Sequence, residues 1–414
     1  MAGPSPAVAD TLNDPLVVLG LLLVGGALVS GLARRSLISL AAIFVLSGFA
    51  LGRGGVELLD FDPRSGFVAS LAVVALVLIL FRDGLEAEAE MIQKAWHLPL
   101  LKLVLAMPLT GAIVACAAKL LTDLSWTEAF LLGALLAPTD PVLSSSVVTN
   151  PRVPRLIRHS LNLESGMNDG LALAAVLAFA SALSTDGNDF VWWRFLLQDV
   201  SLGLITGAGV GLVASRLMPR ETSLGSEIGP HEKAMYALGV AFATYGFSVL
   251  EPHANGFIAV FVCAIVLGIL RPDIRESFEV RSEDVIEVVK LGVFVLFGSL
   301  LTLHGLFQDG WAAVAIVAVT LLVARPVAVF VSLAGSRQVD AAAKAFMSWF
   351  GPKGVATMAF SLFVLGEAIP SGERIFNLAA LAVFTSIIVH GLSDTPGAEW
   401  MARRSQRAGS PPAP

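Results

Sequence analysis

The chain has 414 residues, of which 56% are hydrophobic and 14% are charged, and its formal net charge is −6. A soluble globular domain carries roughly 25% charged residues, so this chain has too few to cover itself with a polar surface. Its mean hydropathy of +0.78 is typical of proteins that cross a membrane several times. The acidic net charge gives no support for binding to nucleic acid. We therefore expect an all-α, polytopic membrane protein surrounded by a lipid bilayer.

About thirteen apolar segments follow one another along the chain, and most approach the roughly 20 residues that cross about 30 Å of hydrocarbon. We predict spans at 15–33, 37–52, 67–83, 98–121, 127–148, 163–184, 199–218, 232–251, 253–270, 285–307, 311–334, 343–366 and 374–392. Residues 1–14 would then form an extracellular N-terminus, 15–392 a single transmembrane domain, and 393–414 a disordered cytoplasmic tail.

The distribution of basic residues predicts the orientation of these segments. Loops after odd-numbered segments carry most of the lysines and arginines, whereas the opposite loops carry only Arg53, Arg64, Arg194 and Arg374. Because basic loops stay on the cytoplasmic side, the N-terminus is expected outside and the C-terminus inside. An even number of spans would break this pattern, so we expect an odd number.

An odd total indicates two six-helix halves of opposite topology, at 15–184 and 232–392, joined by a connecting helix at 199–218. The fifth segment of each half is interrupted, by Pro138-Thr139-Asp140-Pro141 in the first and by Gly351-Pro352-Lys353-Gly354 in the second. Interrupted helices at matching positions of inverted halves indicate the midplane site of a transporter. The alternative is a pair of unrelated proline kinks, which are common in membrane helices.

The first interruption offers oxygen ligands for a cation. Pro138 and Pro141 lack backbone donors and leave carbonyl groups of the preceding turn without partners. A dehydrated monovalent cation is a suitable partner for such carbonyls, and Thr139 and Asp140 add a hydroxyl and a carboxylate. The alternative is that Asp140 simply caps a helix end.

A second acidic residue, Asp169, follows on the next segment, where Ser165 lies four residues earlier on the same helical face. A charge near the bilayer centre costs about 2.5–3.5 kcal/mol, so it persists only where it is paired, hydrated or neutralised. A carboxylate in such a place holds either a proton or a cation, and this competition couples the movements of the two ions. The alternative is an interfacial acid at the start of the helix.

Two further charged residues have predicted partners within the membrane. Glu164 points about 140° away from Asp169 around a helix, and we expect it to form a structural ion pair with Arg325, a lone arginine in segment 11. Lys353 could balance Asp140 or the carbonyl end of a half-helix, or it could extend to the membrane surface.

Asp83, at the end of segment 3, either reaches the cavity or forms an interfacial pair with Arg82, and the sequence does not decide between these. The six histidines lie at or near predicted helix ends, where ordinary interfacial positions explain them. Nucleotide-binding and metalloprotease motifs are absent from the sequence. We therefore expect a transporter, not an enzyme, and no cofactor besides the transported ions.

The motifs together resemble those of the cation:proton antiporter superfamily, in its bacterial NhaP and eukaryotic Na⁺/H⁺ exchanger branch. They are Thr139-Asp140-Pro141, the E-S-x-x-N-D-G pattern from Glu164 to Gly170, Arg325-Pro326, and the run from Trp349 to Gly354. The resemblance implies an NhaA-like antiporter fold with crossed, unwound helices 5 and 12 and a homodimer. It also implies Na⁺ or K⁺ ligands at Thr139 (through its backbone), Asp140, Ser165 and Asp169, an orienting role for Asn168, and the Glu164–Arg325 pair.

The resemblance also implies the stoichiometry of the exchange. Family members with Asn before the aspartate, as at Asn168, tend to exchange one cation for one proton, so that no net charge crosses the membrane. One departure is Arg82, which stands where many members have an acid, so a ligand role for Asp83 is left open. The short tail indicates a bacterial protein, expected in the plasma membrane.

We therefore expect a secondary transporter that exchanges Na⁺ or K⁺ for H⁺ by competition at Asp169. The alternatives are a channel or gradient sensor on the same scaffold, and an intramembrane aspartyl protease that uses Asp140 and Asp169. The protease alternative leaves the inverted halves and the Glu164–Arg325 pair unexplained.

Overall fold

The computed structural model describes residues 40–91, 100–140, 150–184, 191–219, 228–250, 254–336, 339–367 and 369–407, together with residues 20, 24 and 147. These residues are helical apart from short connections. The helices of eight or more residues are α1 (Leu40–Leu51), α2 (Gly66–Met91), α3 (Lys102–Leu121), α4 (Trp126–Leu136), α5 (Arg155–Ser184), α6 (Ser201–Leu217), α7 (Pro230–Leu250), α8 (Gly256–Leu270), α9 (Pro272–Arg281), α10 (Glu283–Ser299), α11 (Trp311–Ser332), α12 (Ala341–Trp349), α13 (Val355–Gly366) and α14 (Gly372–Arg407).

The helices agree with the prediction of an all-α polytopic membrane protein. Within the described ranges, 7 helices are long and apolar enough to cross a membrane, or 8 if the bent pair α8 and α9 is one span. Helices α1, α4 and α13 are shorter and also apolar. Every predicted segment from the second onward overlaps with helix, whereas the first, 15–33, falls outside the described residues except for positions 20 and 24. The number of thirteen spans, their inverted repetition and their orientation therefore stay predictions.

Helix α5 begins at Arg155, eight residues before the predicted start of segment 6 at residue 163. Residues 155–162, about half of them polar, continue the helix, because helical backbone bonds form regardless of side-chain polarity. As a result, the acidic stretch from Glu164 to Asp169 lies in the middle of a helix. This position contradicts the alternative that Asp169 is an interfacial acid at a helix start.

The prediction of a disordered tail from residue 393 is wrong as far as residue 407, because α14 continues to Arg407 with Pro396 inside it. Tertiary packing explains the difference. Ala398 and Met401 are buried in an apolar cluster that includes Phe346 of α12. Arg404 also pairs with Asp340, the residue that caps α12, at 2.8 Å. These contacts stabilise a segment that its own composition does not.

Helices α3 and α11 share an irregularity. In each, a π-helical turn, Lys102–Ala106 or Thr320–Ala324, leads directly into a segment with proline at its first or second position, Pro108 or Pro326. Proline cannot donate to the carbonyl of the preceding turn, and a wider turn is one way to accommodate it. One basic residue of each helix, Lys102 in α3 and Arg325 in α11, lies at or next to this turn, and both pair with the same residue, as described below.

Helices α2 and α14 form the interior of the molecule. In each, 67% of the most apolar window is buried, compared with 22% in the span that contains α6. Residues 75–81 of α2 are almost fully buried in the main apolar core. Helix α2 is therefore a closely packed central helix, whereas α6 lies at the periphery.

Candidate functional site

The two interrupted helices meet at their interruptions. Helix α4 ends at Leu136 and residues 137–140 are not helical, and residues 350–354 separate α12 from α13 in the same way. The backbone N–H of Asp140 donates to the carbonyl of Pro352 at 2.8 Å. In return, Lys353 Nζ donates to the carbonyl of Pro138 at 3.2 Å. Each interruption thus provides a proline carbonyl that accepts a hydrogen bond from the other.

Asp140 caps the second half of the interrupted helix. Its Oδ2 accepts a hydrogen bond from the backbone N–H of Val355, the first residue of α13, at 3.3 Å. A carboxylate at this position is stabilised by the positive end of the helix dipole. The approach requires glycine, since a Cβ at Gly354 would lie 2.0 Å from the Cβ of Asp140. The capping role considered for Asp140 is therefore present, at the crossing itself.

Lys353 is buried with 1% of its surface exposed, so the alternative that it extends to the membrane surface is wrong. Its ammonium group binds the carbonyl oxygen of Pro138, at the carboxyl end of the first half-helix. A cation there complements the negative end of a helix dipole. Its backbone N–H donates to Ser386 Oγ of α14 at 2.9 Å. Of the partners that the sequence left open for this lysine, the half-helix carbonyl is the one found in the structure.

Asn168 links α5 to the first interruption. Its Nδ2 donates to the carbonyl oxygen of Thr139 at 2.8 Å and to Thr139 Oγ1 at 3.1 Å. These two bonds fix the orientation of the amide, because only its nitrogen can donate. Asn168 Oδ1 is buried and has no hydrogen-bond partner within the described part of the chain.

Asp169 follows Asn168 and is buried, with 6% of its surface exposed. Its Oδ1 also lacks a hydrogen-bond partner among the residues that the structure describes. Buried polar oxygens without partners are uncommon, and such a group in a native fold calls for a ligand or a water molecule. Ser165 lies one turn earlier in α5, but its side chain is outside the described part of the structure, as is Pro141.

Asp83 is paired with Arg82, its neighbour in α2. Its Oδ1 accepts hydrogen bonds from Arg82 Nε at 3.0 Å and Nη2 at 2.7 Å. The side chain is nevertheless buried, with 2% exposed. Gly84 and Gly170, which follow Asp83 and Asp169, both pack against Phe261, so α2 and α5 meet at the level of these two carboxyl groups. Asp140 follows Thr139, the residue that Asn168 binds beside Asp169. Three carboxyl groups from three helical segments therefore converge on one buried region.

Glu164 forms an ion pair with Arg325 through both oxygens, with Nη1–Oε1 at 2.9 Å and Nη2–Oε2 at 3.2 Å. A second cation, Lys102, was not predicted from the sequence, and its Nζ lies 2.5 Å from Glu164 Oε2. Lys102 is fully buried and also donates to the carbonyl of Ser160 at 3.3 Å. A lysine near the start of the apolar run 98–121 was the signal that could have identified it.

The Glu164 cluster is adjacent to the second interruption. A Cβ at Gly351 would lie 2.0 Å from Arg325 Nε, and Arg325 Nη2 donates to the carbonyl of Met347 in α12 at 3.3 Å. Arg325 therefore connects Glu164 of α5 to the end of α12. This contact gives the ion pair a structural role in holding the interrupted helix against the helix that carries Asp169.

His390 was expected at an interface, but it is buried beside the same interruption. Its Nε2 lies 2.8 Å from the carbonyl oxygen of Trp349, the last residue of α12. Its Nδ1 lies 3.0 Å from Ser386 Oγ, the atom that accepts from the backbone of Lys353. The histidine therefore helps to hold the non-helical residues 350–354 against α14.

Comparisons with known proteins agree with this geometry. The family described as sodium/hydrogen exchanger, transmembrane, matches residues 19–400 of the chain. The chain is 26% identical over 405 residues to the K(+)/H(+) antiporter NhaP of Alkalimonas amylolytica, a match that covers 95% of this chain and 67% of that protein. It is 28% identical over 384 residues to the Na(+)/H(+) antiporter NhaG of Bacillus atrophaeus, covering 88% and 71%.

The fold is similar to that of the sodium proton antiporter MjNhaP1 from Methanocaldococcus jannaschii, solved at pH 8. The TM-score is 0.80 at 19% identity, and the match covers 95% of this chain and 99% of that structure. At 19% identity the structural similarity is evidence for the fold alone.

Proposed function

Since the chain belongs to the sodium/hydrogen exchanger family, we propose that it exchanges a monovalent cation, Na⁺ or K⁺, for H⁺ through competition at Asp169. The observation that carries this mechanism is the buried carboxyl group of Asp169, which has an oxygen without a partner in the described structure and lies beside the crossing of two interrupted helices. Membership of this family also confirms that the chain is a transporter and not an enzyme, which removes the protease alternative.

The proposed cation ligands are oxygen atoms at the first interruption and on α5. They are the carboxylate of Asp169, the backbone carbonyl of Thr139, Asp140 and the hydroxyl of Ser165. Asn168 holds the Thr139 carbonyl in place through its Nδ2. Hard monovalent cations are bound by oxygen ligands at unwound backbone and half-helix ends, which is the chemistry present here. When Asp169 is protonated, the site loses the charge that attracts the cation.

We propose that the exchange is electroneutral, one cation for one proton. Asn168 is uncharged and is engaged with Thr139, so Asp169 alone on its helical turn carries a proton or a cation. Either cargo neutralises the same carboxylate, and the charge that crosses the membrane is then equal in both directions. A membrane potential imposed with valinomycin and K⁺ tests this point, and a rate of Na⁺/H⁺ exchange that follows the potential contradicts it.

Two structural correspondences support the proposed inverted halves, 15–184 and 232–392. The π-helical turn followed by proline occurs in α3 and again in α11. The two interruptions also meet, and each accepts a hydrogen bond from the other at a proline carbonyl, Pro138 or Pro352. With the connecting helix at 199–218, the proposed arrangement has thirteen spans, with the N-terminus outside and the C-terminus inside.

We also propose a homodimer in a bacterial plasma membrane. The peripheral position of the span that contains α6, of which 22% is buried, leaves an apolar face for lipid or for a second copy of the chain. The dimer would remain fixed in the membrane while the bundle with the interrupted helices moves during transport.

The direct test uses the purified protein in proteoliposomes with an internal pH-sensitive dye. Addition of NaCl or KCl is expected to release protons in the wild type, whereas Asp169→Asn is expected to abolish the response while the protein still elutes as a single folded species. A wild-type response in Asp169→Asn would refute the role of Asp169. Ion conductance without proton coupling would favour the channel alternative, and the order of response to LiCl, NaCl and KCl would give the cation preference.

A further inference from the structure

Arg82 places a permanent positive charge next to the proposed cation site. It directly precedes Asp83 in α2, the central helix of the molecule. Arginine does not lose its proton in proteins, so this charge is present at every pH at which the exchanger works. A fixed cation beside a site for a mobile cation is unfavourable unless it has specific partners, and its partners here are Asp83, at 2.7 Å, and the more exposed Glu86, at 3.8 Å.

The hydrogen bonds between the two side chains use only one oxygen of Asp83. Both Arg82 Nε, at 3.0 Å, and Nη2, at 2.7 Å, donate to Oδ1. A guanidinium group commonly binds both oxygens of a carboxylate in parallel, as Arg325 binds Glu164. In Asp83, Oδ2 is instead buried and has no hydrogen-bond partner within the described ranges.

The packing of α2 fixes the direction of this pair. A Cβ at Gly84 would lie 2.7 Å from the carbonyl oxygen of Phe261, so α2 and α8 are in close contact at the next residue. Phe81, one residue before the pair, is fully buried against Phe278, with ring centroids 5.4 Å apart. Rotation of α2 would break these contacts, so Asp83 keeps its position beside α5, where Gly170, the residue after Asp169, packs against the same Phe261.

We propose that Arg82 determines the cation affinity of the site, by neutralising Asp83 while leaving Asp83 Oδ2 available to the transported cation. Without a counter-charge, two neighbouring carboxylates would hold a monovalent cation too tightly for rapid release. With Arg82 in place, Asp83 contributes an oxygen ligand and no net charge. This inference rests on the proposed exchange function and identifies a residue that sets the cation affinity for it.

The test compares the KM for Na⁺ and K⁺ of the proteoliposome exchange among variants at about pH 8.5, where few protons compete with the cation. Arg82→Gln is expected to lower the KM about tenfold or more and to lower the turnover, since loss of a nearby positive charge strengthens cation binding and tighter binding slows release. Arg82→Lys keeps the charge and is expected to keep the wild-type KM. Arg53→Gln is the matched control, because Arg53 pairs with the exposed Asp60 outside the site.

Two more variants show whether Arg82 acts through Asp83. Asp83→Asn leaves Arg82 with only the more distant Glu86 as a partner, and is expected to raise the KM about tenfold. The double variant Arg82→Gln/Asp83→Asn restores the net charge of the pair and is expected to return the KM towards the wild-type value. A KM of Arg82→Gln within a factor of about two of the wild type would overturn the inference.

The proposal can still be tested if one of these variants does not fold. If Arg82→Gln alone yields no folded protein, Asp83→Asn and the double variant carry the comparison, and a KM of Asp83→Asn equal to that of the wild type, or a KM of the double variant equal to that of Asp83→Asn where the latter is raised, overturns the inference. The wild type is measured in the same assay. A wild type without exchange refutes the proposed function, whereas an active wild type with unchanged variants refutes only the role of Arg82.

Discussion

The backbone N–H of Asp140 and the carbonyl oxygen of Pro352 form a hydrogen bond of 2.8 Å, which joins the two interrupted helices through their main chains. Backbone polar groups left without partners in a bilayer core cost several kcal/mol each, so irregular backbone is tolerated there only where it is satisfied by protein or water. Each interruption satisfies part of the other. The proposed cation site therefore forms only when both halves of the chain are folded together.

Replacing Glu164 by Gln is expected to destabilise the protein severely. The substitution leaves Lys102 and Arg325 buried without a negative partner, and removal of one member of a buried ion pair costs about 3–5 kcal/mol. A thermal unfolding curve of the purified protein in detergent measures the effect as a fall in Tm. Glu399→Gln is the control, because Glu399 pairs with Arg403 on an exposed face and is expected to have almost no effect. An equal Tm for the two variants would show that the Glu164 cluster is not structural.

Gly354→Ala is expected to abolish exchange and lower Tm. The added Cβ would lie 2.0 Å from the Cβ of Asp140, so the two interruptions must separate, and overpacking of this kind costs about 1–3 kcal/mol. Gly239→Ala in α7 is the matched control, since its added Cβ would have no atom within 4 Å. Normal exchange in Gly354→Ala would mean that the close contact of the interruptions is not required for transport.

Asn168→Ala is expected to raise the KM for the cation about tenfold with a smaller change in turnover. The substitution removes both hydrogen bonds that position Thr139, and each is worth about 1 kcal/mol. The proposed carbonyl ligand would then lose its orientation while the charge of the site stays the same. The control is Asn377→Ala, which removes another buried asparagine, near Gly305 and away from the site. Equal KM values for both variants would argue against an orienting role for Asn168.

The KM for the cation is expected to rise as the pH falls. If proton and cation compete for Asp169, protons occupy the carboxylate at low pH, and the KM increases by about tenfold for each pH unit once the protonated form dominates. At high pH the KM reaches a constant value, and the maximal rate at saturating cation depends on pH only weakly. Dye measurements over several cation concentrations between about pH 6.5 and 9 test this relation. A pH effect confined to the maximal rate would exclude simple competition.

The sequence by itself determined the class of the protein and the position of most helices. Hydropathy is summed over neighbouring residues, so the segments from the second onward could be read directly from the chain. The interruptions at Pro138 and Pro352 were also evident, because proline and glycine act on their own backbone. Glu164 and Arg325 could be matched because isolated charges of opposite sign in apolar runs have few possible partners.

Only the tertiary structure decided which groups meet across the bundle. The second cation on Glu164, the carbonyl that Lys353 binds and the meeting of α2 and α5 at Phe261 depend on how helices far apart in sequence cross. The extension of α14 to Arg407 likewise depends on tertiary contacts, because Ala398 and Met401 are buried in an apolar cluster formed mainly by residues of other helices. The sequence pattern of a single segment indicates which face of the helix is apolar. The rotation and crossing angle of that helix are determined by close packing against its neighbours. That packing involves residues from several segments, so it cannot be predicted from any one of them.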